Sequence, residues 1–218
     1  MLVICPSRGR PQNIERLVQG FRDTESEAGL LVCTDDDDVP YPLIDGVRYR
    51  TAPRRRMAPT LNDAALEEAL DYGIIGFMGD DHLPRTPHWD WAVRDAMEAQ
   101  GGGIVYGNDL IQGQALPTAV FMSTDVIRVL GWMCLPGALH LYLDDTWLHL
   151  GRQLGRLKYL PDVVIEHLHP VGHTAEWDAG YREVNDDFMY AHDGSVFREW
   201  EANKADVDVA RVKVALGW

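Results

Sequence analysis

The sequence predicts an α/β fold built on a mixed, mainly parallel β-sheet that is flanked by helices. Short apolar segments that suit buried strands alternate with longer segments whose apolar residues recur at helical spacing. Three of the apolar segments end abruptly in polar or acidic residues, as parallel strands do where they leave a core. The 218 residues, of which 46% are hydrophobic and 25% charged, suit one globular domain with a substantial core.

The first half of the chain alternates strand and helix. The strands predicted in this half comprise residues 2–5, 30–34, 47–51 and 73–78. One helix follows from Pro11, where apolar residues recur at i, i+3, i+4 and i+7, and a second is predicted to begin at Thr60, a plausible N-cap. This order is typical of a parallel sheet with crossover helices.

The second half is less regular, and its later strands lie close together in sequence, which favours a mixed sheet. The helices predicted here comprise residues 88–100, 124–131 and 144–154. The strands predicted here comprise residues 104–106, 119–123 and 163–167. The tail, residues 181–216, is predicted to be mostly helical with a break around Asp193 and Gly194.

The charge balance excludes some functions. With 20 Lys and Arg against 34 Asp and Glu, the net charge of −14 argues against a protein whose main task is neutralising nucleic-acid phosphates or anionic lipid. Cys5, Cys33 and Cys134 are too widely spaced for a metal knuckle, and their odd number does not suit a disulfide framework. No apolar run approaches a membrane span or a secretory signal, so we expect a cytoplasmic protein without membrane contact.

Polar residues follow three of the predicted strands, at residues 6–10, 35–38 and 79–82. The carboxyl ends of parallel strands form the ligand crevice of an open sheet. Arg8 and Arg10 suit phosphate there, whereas the aspartates suit hydroxyls or a divalent metal. A solvated turn is the simpler explanation of the four-aspartate run, but Asp80 and Asp81 directly end a buried strand and favour metal or substrate binding.

Two later pairs could also carry chemistry. Asp144 and Asp145 open a predicted helix, where carboxylates often only complement the helix dipole. His167 and His169 end the last strand on one face, a spacing that suits metal ligands but is also common on polar surfaces. Each pair alone is weak evidence for a functional site. The occurrence of both pairs after the polar strand ends, in this order along the chain, favours such a site.

In order and spacing, residues 1–170 resemble the GT-A nucleotide-sugar glycosyltransferases, particularly the family 2-like members. The matching segments are VICPSRGRP for the nucleotide-binding loop, LVCTDDDD for base recognition, LNDAALEEALDYGIIGFMGDD for the DXD metal motif, YLDDTWLHL for the acidic pair of the catalytic base, and VVIEHLH for a late metal-binding histidine. The resemblance implies a GT-A fold. It also implies one domain over residues 1–218, with a nucleotide-binding half (1–106), an acceptor-binding half (107–180) and a helical tail (181–218).

The resemblance assigns roles to individual residues. Asp145 matches the catalytic base, and Asp81 and His169 match the metal ligands, although His167 fits the late ligand as well. The residues expected to contact the donor are Pro6, Ser7, Arg8, Arg10, Asp35, Asp36, Asn62 and Asp80. Gly79 stands at the first position of the DXD motif, which is acidic in the family.

The implied activity is metal-dependent transfer of a hexose from a nucleoside diphosphate sugar, a UDP-sugar with Mn²⁺ or Mg²⁺, to an acceptor hydroxyl, with inversion. The acceptor predicted is a glycan, a small molecule or a hydroxymethylated DNA base of the phage type. The basic turn at Arg54, Arg55 and Arg56 would contact the DNA. The alternatives are a metal-dependent sugar-nucleotide hydrolase and a degenerate nucleotide-sugar binding module, for which Gly79 is the best argument.

Overall fold

The predicted alternation of strands and helices is present in the computed structural model, which describes residues 1–218. The eight strands are β1 (Leu2–Pro6), β2 (Gly29–Asp35), β3 (Val47–Ala52), β4 (Ile74–Phe77), β5 (His82–Pro84), β6 (Ile104–Asn108), β7 (Val120–Ser123) and β8 (Leu157–His167). The eight helices are α1 (Pro11–Asp23), α2 (Met57–Glu68), α3 (Trp89–Gln100), α4 (Thr124–Leu130), α5 (Leu143–Leu154), α6 (Ala179–Val184), α7 (Asp187–Asn203) and α8 (Ala205–Leu216). Two 3₁₀ turns cover Gly113–Ala115 and Pro170–Gly172.

The sheet is mixed, with four parallel and three antiparallel strand pairs, which confirms the predicted fold class. Its eight strands lie in the order β3-β2-β1-β4-β7-β6-β8-β5. Strands β3, β2, β1 and β4 run parallel to one another, and β8 runs parallel to β6. Strand β7 is antiparallel to both β4 and β6, and β5 is antiparallel to β8. The carboxyl ends of β1, β2 and β4 therefore meet at one edge.

Strand β1 is buried on both faces of the sheet. Leu2 and Ile4 pack into a core formed with α2, α4, α5, α7 and α8, whereas Val3 and Cys5 pack on the other face against α1 and α3. Alternate residues of a strand point to opposite faces, so a continuous apolar run is what a strand with helices on both sides requires. Each fully buried side chain of this kind stabilises the fold by about 1.5–3 kcal/mol.

Helix α2 begins earlier than its sequence predicts, at Met57 rather than Thr60. Pro59 lies in the first turn, where its missing N–H costs no helical hydrogen bond, and the Ala58 amide donates instead to the Leu139 carbonyl at 3.0 Å. A hydrogen bond to a distant loop therefore fixes the start of this helix.

The predicted break around Asp193 and Gly194 is wrong, because α7 runs through both residues. Gly194 packs against the Tyr142 ring, where a Cβ would lie 3.2 Å from the ring atoms. Asp193 is fully buried and binds backbone amides of another loop. Both residues serve tertiary contacts, and the tail bends instead before Asp187 and at Lys204.

Two parts of the sheet were not predicted in full. Strand β5 is three residues long and exists through its pairing with β8. Strand β8 begins at Leu157, six residues before the predicted start at Val163, because its first half pairs in parallel with β6. None of the helices combines the length and apolar character needed to cross a membrane.

Candidate active site

A cleft of about 620 Å³ opens at the edge where β1, β2 and β4 end. This size suits a small-molecule ligand. Most of the residues predicted to contact the donor line it, namely Pro6, Ser7, Arg8, Arg10, Asp35 and Asp80. The predicted edge of the parallel strands is therefore the place where polar side chains converge.

Asp80 follows β4 and is buried beneath the loop that follows β1. Its Oδ2 accepts the Ser7 hydroxyl at 2.6 Å, and its Oδ1 accepts Arg10 Nη1 at 3.2 Å. Burial raises the pKa of Asp80, and the neighbouring charge of Asp81 raises it further, against the opposing effect of Arg10. Asp80 thus fixes the loop after β1 to the end of β4.

Asp81, His82 and His167 form a cluster at the floor of the cleft. One ligand-competent atom of each lies within 4.8 Å of the others. The His82 and His167 rings stack with centroids 4.3 Å apart, because β5 and β8 pair these two residues directly. Burial disfavours the charged form of Asp81, but hydrogen bonds and charges from His167 and His82 outweigh it and hold its pKa well below the usual value.

This cluster fits a divalent cation. His82 Nδ1 accepts the Gly79 amide at 3.0 Å, and its Nε2 is buried without any hydrogen-bond partner. A neutral imidazole has one lone pair, so with Nδ1 as the acceptor the ring proton sits on Nε2. A cation would take the Nδ1 lone pair, which lies 3.3 Å from Asp81 Oδ1, in place of the Gly79 amide. One carboxylate and two imidazoles are a donor set that Mn²⁺ and other first-row divalent ions accept.

The predicted late ligand, His169, lies outside this cluster, and His167 takes its place. Strand β8 ends at His167, and the chain then turns into the 3₁₀ segment Pro170–Gly172, so the two histidines do not share a strand face. His169 lines the cleft, but its Nδ1 accepts the Val171 amide at 3.2 Å. His82 was not predicted as a ligand, although its position directly after Asp81 was visible in the sequence.

Asp144 lines the cleft, whereas Asp145, the residue predicted as the base, does not. The two follow each other at the start of α5 and so differ by about 100° around the helix. Burial raises the pKa of Asp144 to about 6, and the Asp145 carboxylate adds to the shift. The left-handed Tyr142, with φ 60°, sets the helix start that turns Asp144 inward.

Two residues predicted to contact the donor lie elsewhere. Asp36 is exposed and outside the cleft lining. Asn62 accepts the Met133 and Cys134 amides at 2.8 and 2.7 Å and donates to the Cys134 carbonyl at 2.8 Å. Its side chain is therefore occupied in fixing the loop before α5, a tertiary contact that its position on α2 did not reveal.

Arginines from the turn before α2 reach the cleft, but each is paired with a carboxylate. Arg54 and Arg56 both donate to Glu183, at 2.7 and 2.6 Å, and Arg55 pairs with Asp63. The two arginines of β3 pair in the same way with glutamates of α2. The basic patch suggested by the sequence is therefore locally neutralised.

Helix α6 covers part of the cleft, an arrangement that the sequence did not predict. Tyr181 donates to Asp81 Oδ2 at 2.8 Å, and Arg10 stacks over its ring at 4.0 Å. Asp178, the N-cap of this helix, pairs with Arg10 at 2.7 Å. The C-terminal segment thus touches both the cluster of Asp81, His82 and His167 and the loop after β1.

Comparison with solved structures identifies the fold. S. aureus TarS matches 92% of this chain with 12% identity and a TM-score of 0.53, and the chain spans 42% of the length of TarS. The mannosyltransferase PcManGT from Pyrobaculum calidifontis, in complex with GDP-Man and Mn²⁺, matches 100% of this chain and 80% of its own at 13% identity and a TM-score of 0.51. A protein from Desulfovibrio desulfuricans G20 described as a nucleotide-diphospho-sugar transferase matches 97% of both chains at 13% identity and a TM-score of 0.50.

No protein-family model and no curated protein matches the sequence. At 12–13% identity the likeness to these solved structures concerns the fold. The chain therefore has the GT-A-like fold that its motifs predicted, an architecture shared by glycosyltransferases and nucleotidyltransferases.

Proposed function

We propose that the protein is a metal-dependent glycosyltransferase that moves a hexose from a nucleoside diphosphate sugar to an acceptor hydroxyl. The observation that carries the proposal is the cluster of Asp81, His82 and His167 at the floor of a cleft that also holds Asp144 and four arginines. Cation ligands, a carboxylate base and anion-binding groups are what this transfer needs in one place.

Asp81, His82 and His167 would hold the cation. A divalent ion bound by them would neutralise the charge that develops on the diphosphate leaving group. Tyr181 orients the Asp81 carboxylate through its hydroxyl hydrogen bond. Such support of a ligand keeps its lone pairs aimed at the ion.

Asp144 is the proposed general base, in place of Asp145. It faces the cleft, and its raised pKa of about 6 lets it stay ionised at neutral pH while it accepts a proton from the acceptor hydroxyl. A single base that activates the acceptor for direct displacement at the anomeric carbon implies inversion of configuration.

The nucleotide is proposed to lie along the loop after β1 and the end of β2. Ser7 and Asp35 offer polar contacts there, and Arg8 holds Asp35 in place at 2.8 Å. We propose a UDP-sugar as donor, by analogy with the glycosyltransferases that the motifs resemble. GDP-mannose is the necessary comparison, since PcManGT was solved with GDP-Man and Mn²⁺ and shares the fold.

The acceptor is proposed to be an uncharged hydroxyl compound such as a glycan. The net charge of −14 disfavours contact with many DNA phosphates, and Arg54, Arg55 and Arg56 are each paired with a carboxylate in the structure. Tyr190 lines the cleft and is about half exposed, which suits stacking on a sugar ring.

The test is a thermal-shift and calorimetric titration with UDP- and GDP-sugars, with and without Mn²⁺ or Mg²⁺. We expect one nucleotide class to bind in the presence of metal and to bind weakly in its absence. His167→Gln should weaken metal-dependent binding at least tenfold, whereas His173→Gln, an exposed histidine outside the cleft, should not. If no sugar nucleotide binds with metal present, the proposal that the donor is a nucleoside diphosphate sugar is refuted.

The base is tested by Asp144→Asn, with Asp145→Asn as the matched control. Asp144→Asn should leave donor binding intact and abolish transfer, and Asp145→Asn should keep activity. The reverse pattern would return the role to Asp145. Release of free sugar at a rate that no acceptor stimulates would instead identify a metal-dependent sugar-nucleotide hydrolase.

A further inference from the structure

Helix α6 presents acidic side chains to the arginines of the cleft. Asp178, at its N-cap, and Glu183, in its last turn, lie on the same short segment, and residues 179–181 and 183 of this segment line the cleft. Between them, Tyr181 reaches the proposed cation ligand Asp81. The segment therefore contacts both the arginines of the cleft and the Asp81 carboxylate.

Asp178 binds Arg10 in a bidentate pair. Its Oδ2 accepts Arg10 Nε at 2.8 Å and its Oδ1 accepts Arg10 Nη2 at 2.7 Å. Two parallel hydrogen bonds of this kind match a guanidinium to a carboxylate or equally to a phosphate. Arg10 also contacts Asp80, so it links the end of β4 to α6.

Glu183 binds two arginines through one oxygen. Its Oε1 accepts Arg54 Nη2 at 2.7 Å and Arg56 Nη1 at 2.6 Å. One oxygen held by two guanidinium groups is the arrangement that a phosphate oxygen would also take. Arg54 lies within 3.8 Å of Asp35 as well, which joins this pair of arginines to the end of β2.

We propose that Arg10, Arg54 and Arg56 form the diphosphate-binding site of the donor, and that Asp178 and Glu183 occupy it as an acidic strap until a diphosphate displaces them. The inference rests on the proposed function. Beyond that function, the inference names the residues that bind the diphosphate. It also proposes that the two carboxylates compete with the diphosphate and so set the apparent affinity for the donor.

The exposure of the two carboxylates supports displacement. The side chains of Asp178 and Glu183 are 45% and 42% exposed, so each carboxylate is already partly hydrated and can move into solvent when it leaves its arginine. A doubly charged diphosphate with a divalent cation can therefore replace them. When the strap holds the arginines in most molecules, the apparent Kd rises in inverse proportion to the fraction of molecules whose arginines are free.

The test is calorimetric titration of the double variant Asp178→Asn with Glu183→Gln against the wild type, with Mn²⁺ present and with inorganic pyrophosphate, UDP and GDP as probes. Asn keeps the cap of α6, which Asp178 provides by accepting the Tyr181 amide at 2.8 Å. The control is Glu176→Gln with Asp187→Asn, which makes the same change of charge at exposed residues outside the cleft.

We expect the double variant to bind pyrophosphate and one nucleotide about tenfold more tightly than the wild type, equivalent to about 1.4 kcal/mol. The control should match the wild type. Glu183→Gln alone should shift the affinity in the same direction by a smaller factor, which keeps the test available if the double variant folds poorly. An unchanged or weaker affinity for pyrophosphate in the variants overturns the strap.

The two proposals fail differently. Nucleotides that bind wild type and variant equally overturn the strap and support the donor site. Tighter pyrophosphate binding by the variant, with no nucleotide binding by either protein, supports the strap and overturns the nucleotide-sugar donor. Absence of all binding overturns both.

Discussion

Asp193 supports the loop that leads into α5, and its substitution by Asn should destabilise the protein strongly. Its carboxylate is fully buried, and it accepts the amides of Leu139, His140 and Leu141 at 2.9, 2.7 and 2.7 Å. His192 Nδ1 lies 2.8 Å from the same carboxylate. The loop held in this way precedes Asp144, so the contact also positions the proposed base.

The magnitude follows from those contacts. Each hydrogen bond to a charged group contributes about 1.5–3 kcal/mol, and contributions within one network do not add in full. Asn keeps an acceptor for two amides but turns its NH₂ toward a third donor. We therefore expect Asp193→Asn to lower the free energy of unfolding by about 2–4 kcal/mol. At about 2–4 °C per kcal/mol, a loss near 3 kcal/mol lowers the Tm by roughly 6–12 °C.

Urea denaturation followed by circular dichroism measures this difference. Asp187→Asn, at an exposed residue on the same helix, is the control and should cost no more than about 0.5 kcal/mol. A stability for Asp193→Asn within about 0.5 kcal/mol of the wild type would refute the assignment of Asp193 as the anchor of this loop.

The same carboxylate predicts a pH dependence. Burial raises its pKa, but the hydrogen bond from His192 and the three amides outweigh burial and hold the pKa below the usual value. A group whose folded pKa is depressed contributes its stability above the unfolded pKa of about 3.9 and loses it as pH falls through the folded pKa. The difference in unfolding free energy between wild type and Asp193→Asn should therefore be constant near neutral pH and narrow below about pH 4.

Three further predictions concern other parts of the molecule. Asn62→Ala should lower the free energy of unfolding by about 2 kcal/mol in urea denaturation while the folded protein keeps its donor affinity, because Asn62 binds the loop at Met133 and not the cleft; a large loss of donor affinity at unchanged stability would restore the predicted contact. Gly76→Ala should cost about 1–3 kcal/mol by thermal unfolding, because the new Cβ would lie 2.6 Å from a Phe121 ring atom; an unchanged Tm would show that the ring yields freely. The kcat of transfer should fall as pH drops through about 6, because Asp144 must be ionised to accept a proton; a rate that is flat from pH 5 to 8 would exclude it as the base.

The edge of the sheet that holds the site was predictable from local patterns. Apolar runs that stop at Pro6, Asp35 and Gly79 mark strands that leave a core, and parallel strands bring such ends together. The structure gathers those residues in one cleft. The residue at which a strand ends is set by its nearest neighbours in sequence. It can therefore be predicted without knowing which segments the strand pairs with.

The choice between neighbouring candidates was not predictable. Asp144 and Asp145 are chemically alike, and the helix start at Tyr142 decides which one faces the cleft. His167 lies beside Asp81 and His169 does not, because β8 stops at His167 after pairing with β5. One residue reverses the direction of a side chain on a strand and turns it by about 100° on a helix, and the start and end of these elements depend on distant segments.

The sequence by itself determined the strands of the first half, the mixed sheet and the polar edge where β1, β2 and β4 end, because hydrophobic periodicity and strand termination are encoded over a few residues. Only the tertiary structure decided the clustering of Asp81 with His82 and His167, the role of Asn62, and the pairing of Asp178 and Glu183 with arginines of the cleft. These depend on contacts between residues 70 to 170 positions apart, and no local pattern encodes the free energy of such contacts.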